Sequence, residues 1–171
     1  MINLQSPIKG LRLSRSPQGD ISQFFGENLN PLYKQLGLLY HNGIDIAIPN
    51  RTPVLASHDG TITEVSNEVN STFSRGYGVY LTHSEGWFTV YWHMLPPNLK
   101  VGDVIKAGEP LGYSDNSGQS TGPHLHFGLY AFPRDFNNGV GGAIDPLPYL
   151  QLNLLTMIRD LLLKIFALKG R

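Results

Sequence analysis

The sequence predicts a mainly β fold, an antiparallel sheet or β-sandwich-like arrangement in a single domain. Its 171 residues suffice for one domain with a substantial core. Nineteen glycines and twelve prolines, scattered along the chain, indicate many turns. From residue 41 onward short apolar runs alternate with these turns. Their spacing leaves no room for crossover helices, so neighbouring strands should be antiparallel.

The first strands can be assigned in order along the chain. Residues 1–40 contain several prolines and glycines and are expected to be irregular. The segment GIDIAIP places isoleucines 44, 46 and 48 on one face, which is the period of a strand. The segment TPVLASHDGTITEVS predicts two short strands joined in a hairpin at Asp59-Gly60.

Three further segments predict the rest of the sheet. YGVYLTHSEGWFTVYWHM predicts two strands that turn at Glu85-Gly86. VGDVIKAGEPLGYS predicts a tight strand–turn–strand unit, and HLHFGLYAF predicts the last strand.

Residues 149–168 differ from the rest because their apolar positions have helical spacing. An amphipathic helix is predicted, with one polar side and one apolar side. The apolar side carries Leu154, Leu155, Ile158, Leu161, Leu162, Ile165 and Phe166. We expect it to pack against its own domain or a partner chain. Contact with a membrane surface is the alternative, because the apolar arc is wide.

Composition excludes several classes of function. Lys plus Arg and Asp plus Glu both total 13, so the chain has no charge excess for binding nucleic acid. Because there are no cysteines, any metal must be bound by histidine and carboxylate. The chain contains no clean run of about 20 apolar residues, so a transmembrane helix is not predicted. The start, MINLQSPIKG, lacks the features of a secretion signal.

The segment GPHLHFG places two histidines, His124 and His126, on either side of one leucine. In a strand, residues at i and i+2 share a face, about 6.6 Å apart along the chain. Both imidazoles can then reach one metal ion, or one can bind the ion while the other faces its water. The alternative is a pair of partly buried histidines bonded to backbone.

The segment HNGID supplies His41 and Asp45. In a straight strand these residues would lie about 13 Å apart, too far to share an ion. The turn-forming dipeptide Asn42-Gly43 can bend the chain and bring the two side chains together. Imidazole and carboxylate are suitable zinc ligands, although this spacing alone is common by chance.

A further histidine, His93, lies late in an aromatic-rich strand, where an ordinary strand histidine is the alternative. His58 and His83 lie beside turns and are expected to be surface or hydrogen-bonded structural residues. Together the pieces predict a catalytic zinc centre, in which three protein ligands leave one position for water. Its ligands would be His41, Asp45 and one histidine of the pair. The other histidine and His93 would serve proton transfer and stabilise developing charge.

The motifs HNGIDIAIPNRTPVLASHDGTI, YWHM, VGDVIKAGEPLG and STGPHLHF stand in the order found in one peptidase family. Over about residues 24–150 the chain resembles the M23 metallopeptidases, the lysostaphin-like or LytM-type peptidoglycan endopeptidases. The resemblance implies that His41, Asp45 and His126 bind one Zn²⁺ ion. It also implies that His93 and His124 are unligated and face the attacking water and the scissile carbonyl.

The chain departs from the family pattern at three places. Gly128 stands where members often carry an acidic residue after the phenylalanine of HLHF. Met94 stands in place of the usual leucine. The segment GYSDNSGQSTG replaces a more glycine-regular loop, which affects the shape of the groove.

The resemblance implies a zinc-dependent endopeptidase that hydrolyses the peptide crosslinks of bacterial peptidoglycan. An extended peptide would lie in a groove with Tyr33, Tyr40 and Tyr77 as candidate contacts, packing being the alternative for these tyrosines. The segments TPVLASHDGTITEVS and VGDVIKAGEPLG also resemble the barrel-sandwich hybrid motif of carrier and binding modules. The alternative function is therefore a non-catalytic wall-binding or scaffold module.

Three segments are expected: an irregular lead-in over 1–23, a peptidase-like domain over 24–150 and the terminal helix over 151–171. We expect the protein to act on the bacterial cell wall. Without a secretion signal it would reach the wall on a phage virion, by release at lysis or by non-classical export. A cytoplasmic role is the alternative. The terminal helix would bind a partner protein, a virion component or a membrane surface.

Overall fold

The computed structural model describes residues 2–15, 20–68 and 75–150, which form two antiparallel sheets. The strands are β1 (Ile21–Gln23), β2 (Ile44–Ala47), β3 (Pro53–Leu55), β4 (Gly60–Glu68), β5 (Gly76–His83), β6 (Trp87–Met94), β7 (Val104–Ile105), β8 (Pro110–Tyr113), β9 (His124–Ala131) and β10 (Ala143–Ile144). A 3-10 helix spans Pro31–Leu36. The predicted mainly β, antiparallel fold is confirmed.

The larger sheet has the order β1-β2-β9-β6-β5-β4-β7, with β10 paired to the end of β9. Strand β9 therefore lies inside the sheet, between β2 and β6. Its register places His126 opposite Asp45 on one side and opposite Trp92 on the other. The sheet thus surrounds the second histidine of HLHF with side chains from both neighbouring strands.

One face of this sheet is packed into the main hydrophobic core. Leu125, Phe127 and Leu129 of β9 are fully buried there, alternating with the histidines that point to the other face. Isoleucines 44, 46 and 48 are buried in the same core, as their period predicts. Burial of apolar surface of this kind is the main stabilising contribution to such a sheet.

The hairpin predicted to turn at Glu85-Gly86 is confirmed. Strands β5 and β6 pair in antiparallel register, with His83 opposite Trp87. Gly86 has a φ of 76°, which a glycine adopts without the steric penalty of a side chain.

Two other predicted strand pairings are wrong. The strands on either side of Asp59-Gly60 do not form a hairpin, because β3 pairs with β8 while β4 pairs with β5 and β7. The turn is bonded elsewhere: the Asp59 carboxylate accepts the N–H of Ala107 at 2.8 Å and the ammonium of Lys106 at 2.9 Å. Strands β7 and β8, predicted as one strand–turn–strand unit, likewise belong to different sheets.

The irregular segment expected over residues 1–40 needs a partial correction. Strand β1 pairs with β2, and the 3-10 helix follows it. Leu4 and Ile8 are buried in the main core, so the start of the chain packs against the sheet. The segment boundaries at residues 23 and 150 stay predictions.

The predicted amphipathic helix over residues 149–168 lies almost entirely outside the described residues. Within the part of the chain that is described, no helix has the length and hydropathy needed to cross a bilayer.

Candidate metal centre

A bend just before β2 brings the first predicted pair of residues together. His41 precedes the strand, and Asn42 and Gly43 form the bend. Asp45 lies within β2, on the face opposite the buried isoleucines 44 and 46. The His41 Nε2 atom consequently lies 3.1 Å from Asp45 Oδ1.

The third side chain comes from β9. His126 stands directly across from Asp45 in the β2–β9 ladder, and its Nδ1 lies 2.9 Å from Asp45 Oδ1. The same nitrogen lies 3.1 Å from His41 Nε2. Two imidazole nitrogens and one carboxylate oxygen therefore form a compact triangle.

This triangle is slightly smaller than the ligand triangle of a tetrahedral metal site. Zinc bonds of ~2.0–2.2 Å separate two tetrahedral ligand atoms by about 3.3–3.6 Å. The observed separations of 2.9–3.1 Å reach those values with a small outward shift of each side chain. The Nδ1–H of His41 is positioned to donate to the carbonyl of Phe24 at 3.1 Å, which leaves its Nε2 lone pair for a metal. The donor set and its geometry fit Zn²⁺.

The electrostatics favour the protonation states that metal binding requires. Burial alone would raise the pKa of Asp45, but hydrogen bonds from His126 and His41 outweigh it and hold that pKa well below its usual range. Burial lowers the pKa of His126 to about 4, against the opposing effect of Asp45. At neutral pH the centre thus presents an ionised carboxylate and a neutral imidazole.

A β-bulge in β6 directs His93 towards the same centre. Tyr77 pairs with Met94 and Gly78 pairs with Trp92, so His93 is the extra residue in the ladder. His93 has a φ of 62°, a left-handed conformation that is uncommon outside glycine. Strict alternation would place Trp92 and His93 on opposite faces, but with the bulge both line one cavity.

The two remaining histidines are fixed by backbone carbonyls. His93 Nδ1 lies 2.8 Å from the carbonyl oxygen of Ser117, and His124 Nδ1 lies 2.8 Å from that of Gly122. A carbonyl only accepts, so each ring carries its proton on Nδ1 and offers a lone pair on Nε2. His124 Nε2 lies 3.7 Å from Asp45 Oδ1, beside the triangle. The centroids of the His93 and His124 rings are 4.6 Å apart. Burial, and then the neighbouring histidines, lower the pKa of His93 to about 3.

All five predicted metal-site and proton-transfer residues line one cavity of about 1090 Å³. Of the three tyrosines predicted to contact substrate, Tyr33 lines this cavity, and its ring stacks on His41 with centroids 5.9 Å apart. Burial, and secondarily the charge of Asp45, raise the pKa of the Tyr33 hydroxyl.

The other two predicted tyrosines do not line the cavity. Tyr40 packs beside the loop around Gly139, to whose carbonyl its backbone N–H donates. Tyr77 is the second residue of β5, and its backbone N–H donates to Ser117 Oγ at 3.1 Å. Their places against these loops are the physical reason they stand apart from the cavity lining.

Several cavity residues were missed by the sequence reasoning. Trp92 stacks on the His126 ring with centroids 4.6 Å apart and planes 10° from parallel, and so holds that ring in place. Asn42, which its sequence position predicts only as a turn former, donates to the Tyr130 hydroxyl at 2.9 Å. The available signal is the tryptophan next to His93, although strict strand alternation would place the two on opposite faces.

The expectation of a hydrogen-bonded structural role fits His83. Its Nδ1 lies 2.7 Å from the carbonyl of Asp59 and its Nε2 lies 3.0 Å from Thr89 Oγ1, and its ring packs on Trp87 at 3.9 Å. Burial lowers the pKa of His83 to about 4.

We expect this buried histidine to make folding sensitive to acid. Between about pH 6.5 and 4 the unfolded chain protonates His83 and the folded chain does not, so stability falls as the pH drops through this window. For one such group, the free energy of unfolding changes by at most about 1.4 kcal/mol per pH unit. Urea unfolding at several pH values should give a steeper dependence for the wild type than for His83→Gln. Equal slopes would contradict this assignment.

A second prediction concerns the glycine beneath the metal triangle. A Cβ at Gly43 would lie 2.6 Å from the carbonyl oxygen of Phe127 and 2.8 Å from the His126 ring. We expect Gly43→Ala to displace His126, to destabilise the fold by about 1–3 kcal/mol and to weaken zinc binding. Thermal unfolding and zinc titration measure both effects.

The matched control is Gly122→Ala, where a Cβ would meet no heavy atom within 4 Å. Its melting temperature and zinc affinity should match the wild type. If the two variants behave alike, close packing at residue 43 does not position the metal ligand.

An antiparallel sheet that carries two histidines and one carboxylate around a metal-sized triangle, with two further histidines beside it, defines a metal-dependent hydrolase site. The chain matches the model of peptidase family M23 over residues 39–146. It therefore belongs to that family, as its motifs predicted.

Individual proteins that the chain resembles are peptidases by name. The chain is 34% identical over 116 residues to the peptidoglycan DD-endopeptidase ShyA of Vibrio cholerae, covering 68% of this chain and 26% of that protein. It is 36% identical over 115 residues to the glycyl-glycine endopeptidase ALE-1 of Staphylococcus capitis, covering 65% and 29%. The catalytic domain of lysostaphin from Staphylococcus simulans superimposes with a TM-score of 0.63 at 30% identity, covering 77% of this chain and 91% of that domain. The chain thus spans less than a third of the two curated relatives but nearly all of this catalytic domain.

Proposed function

We propose that the protein is a zinc-dependent endopeptidase that hydrolyses the peptide crosslinks of bacterial peptidoglycan. The observation that carries the proposal is the triangle of His41 Nε2, Asp45 Oδ1 and His126 Nδ1, with two base-competent histidines in the same cavity. Membership of family M23 and the names of the relatives support the substrate class.

In this proposal His41, Asp45 and His126 hold one Zn²⁺ ion. A zinc ion supplies Lewis acidity, which polarises a peptide carbonyl and makes water more acidic. The negative charge of Asp45 offsets part of the ion's charge. The Phe24 carbonyl and the Trp92 ring fix the orientations of the His41 and His126 rings.

The two unligated histidines move the protons. With Nδ1–H bonded to a carbonyl, the Nε2 atoms of His93 and His124 can accept a proton from the attacking water. The imidazolium so formed can stabilise the developing oxyanion and then return the proton to the departing amine. Their ring separation of 4.6 Å lets both address the same scissile bond.

The decisive experiment is mass spectrometry of purified peptidoglycan digested by the zinc-loaded protein, with a chelator-treated sample beside it. The proposal expects new amine and carboxyl termini that disappear with the chelator. The masses identify the bond, which the names of the relatives leave open between D,D-crosslinks and glycyl-glycine bridges. Binding to the wall without new termini would favour the non-catalytic module instead.

The proposed site of action is the bacterial cell wall, in keeping with the substrate. The route to the wall stays a prediction: carriage on a phage virion, release at lysis or non-classical export. The binding partner of the terminal helix also stays a prediction: a partner protein, a virion component or a membrane surface.

A further inference from the structure

One half of the cavity has an aromatic floor, made by Trp92, Tyr80, Phe88 and Tyr130. The ring centroids of Trp92 and Tyr80 are 6.1 Å apart, and those of Tyr80 and Phe88 are also 6.1 Å apart. Those of Phe88 and Tyr130 are 4.8 Å apart. The floor starts at the metal centre, because Trp92 stacks on His126. It ends at Tyr130, which lies four residues beyond His126 on the same face of β9. Four residues of extended chain span about 13 Å.

A guanidinium stands at the far end of this floor. The Arg134 Cζ atom lies 4.7 Å from the Tyr130 ring centroid, 5.9 Å from that of Phe88 and 4.6 Å from that of Phe136. Contact with ring faces stabilises a cation through the negative charge on the face of each ring. The rings therefore hold the group in place and do not neutralise its charge.

The loop that follows β9 clamps the Arg134 side chain. Its Nη2 donates to the carbonyl of Gly141. A Cβ at Gly142 would lie 2.9 Å from Arg134 Cβ, so a glycine is needed for the loop to close on the side chain. Asn138 Oδ1 accepts the N–H groups of Val140 and Gly142 at 3.1 and 3.0 Å and fixes the loop backbone. Such preorganisation reduces the entropy lost when a ligand binds.

The charge of Arg134 has no carboxylate partner among the described residues. Other arginines do: Arg12 lies 2.7 Å from Asp20, and Arg75, in the same cavity, lies 3.7 Å from Glu64. The Nε atom of Arg134 is buried and makes no hydrogen bond within the described part of the chain. A partly desolvated guanidinium in a concave site, lacking an anion of its own, favours an anionic ligand group, and its planar fork matches a carboxylate.

We propose that Arg134 and the aromatic floor form a subsite that recognises a free carboxylate of the substrate peptide, within about four residues of the bond that is cut. This inference rests on the proposed function, since it takes the ligand to be a peptide lying along the cavity. Arg134 would act as a specificity-determining residue, and the histidines would carry out the chemistry. A substrate with that carboxylate amidated would lose the contact.

The test uses one synthetic crosslinked stem peptide in two forms, with its carboxyl groups free or converted to carboxamides. Charge-assisted hydrogen bonds of this kind correspond to about tenfold to hundredfold in kcat/KM. The wild type should favour the free acid by that factor. Arg134→Gln should lose the preference, mainly through KM, and should cut the amidated peptide as fast as the wild type does.

Two further variants separate recognition from folding. Arg134→Lys keeps the positive charge without the planar fork and should retain only part of the preference. Lys100→Gln removes one positive charge from an exposed turn outside the cavity lining and should retain all of it. All variants should bind one zinc per chain. A lower melting temperature is expected for Arg134→Gln, which loses its contacts with Gly141 and the rings, but the preference is a ratio measured within one variant and does not depend on it. Equal losses in Arg134→Gln and Lys100→Gln would overturn the proposal, because they would indicate a general charge effect.

Binding provides a readout that does not need turnover. Equilibrium titration of both peptides into the zinc-loaded His124→Ala protein should give a lower Kd for the free acid, and Arg134→Gln should remove the difference. If both peptides are cut with equal kcat/KM, the subsite is refuted and the proposed function stands. If neither is cut by the wild type but the free acid still binds more tightly through Arg134, the proposed function fails and the subsite stands.

Discussion

Replacing Asp45 with alanine is expected to abolish both zinc binding and peptidase turnover. Asp45 Oδ1 lies 2.9 Å from His126 Nδ1 and 3.1 Å from His41 Nε2, so it is the anionic corner of the ligand triangle. Without it only the two imidazoles remain. Loss of outer-shell partners typically weakens metal sites about 10–100-fold, and loss of a direct ligand should exceed that. Zinc content after dialysis against a weak chelator, together with the release of amines from peptidoglycan, measures both effects.

The control for this substitution removes an aspartate away from the site. Asp103 accepts the backbone N–H of Lys100 at 2.8 Å in an exposed turn. Asp103→Ala should retain one zinc per chain and full turnover, even if it unfolds at a slightly lower temperature. An Asp45→Ala protein that keeps its zinc would contradict the assignment of ligands.

Much of the metal triangle could be predicted from local sequence. Isoleucines 44 and 46 fix which face of β2 is buried, and this leaves Asp45 on the opposite face. Leu125 and Phe127 do the same for β9 and leave its two histidines together on the cavity side. Period-2 alternation and the bend at Asn42-Gly43 therefore predict which face each of these side chains occupies. The pairing of β2 with β9, which brings Asp45 opposite His126, carries no such local signal, and the choice of His126 as a ligand came from the resemblance to the family.

Other features depend on tertiary structure and carry no local signal. The segments around Asp59 contain strong turn residues, but long-range pairing of β3 with β8 competes successfully with a local hairpin. The bulge at His93 breaks the strict alternation that would place Trp92 and His93 on opposite faces. Arg134 joins the cavity because its loop folds back over the sheet. No periodic pattern in the sequence anticipates that contact.

The second large effect is expected for His124→Ala, which should lower kcat by about 10²–10⁴-fold and leave zinc bound. His124 Nε2 lies 3.7 Å from Asp45 Oδ1, outside the ligand triangle, so its removal takes away a proton acceptor and no metal ligand. His93→Asn should behave in the same way, because asparagine tolerates the positive φ of 62° and keeps the bulge intact. Turnover and zinc content are measured on the same samples.

Comparison with Ser120→Ala distinguishes the role of the His124 imidazole from that of the hydroxyl group beside it. Ser120 Oγ lies 3.0 Å from His124 Nδ1, but the Gly122 carbonyl lies closer, at 2.8 Å, and still fixes the tautomer when the hydroxyl is removed. Ser120→Ala should therefore lose far less activity than His124→Ala. Full activity in both His124→Ala and His93→Asn would refute the division of labour, since the protons would then be transferred without either imidazole. Loss of zinc in His124→Ala would instead move this histidine into the set of metal ligands, and the two histidines of HLHF would share the ion.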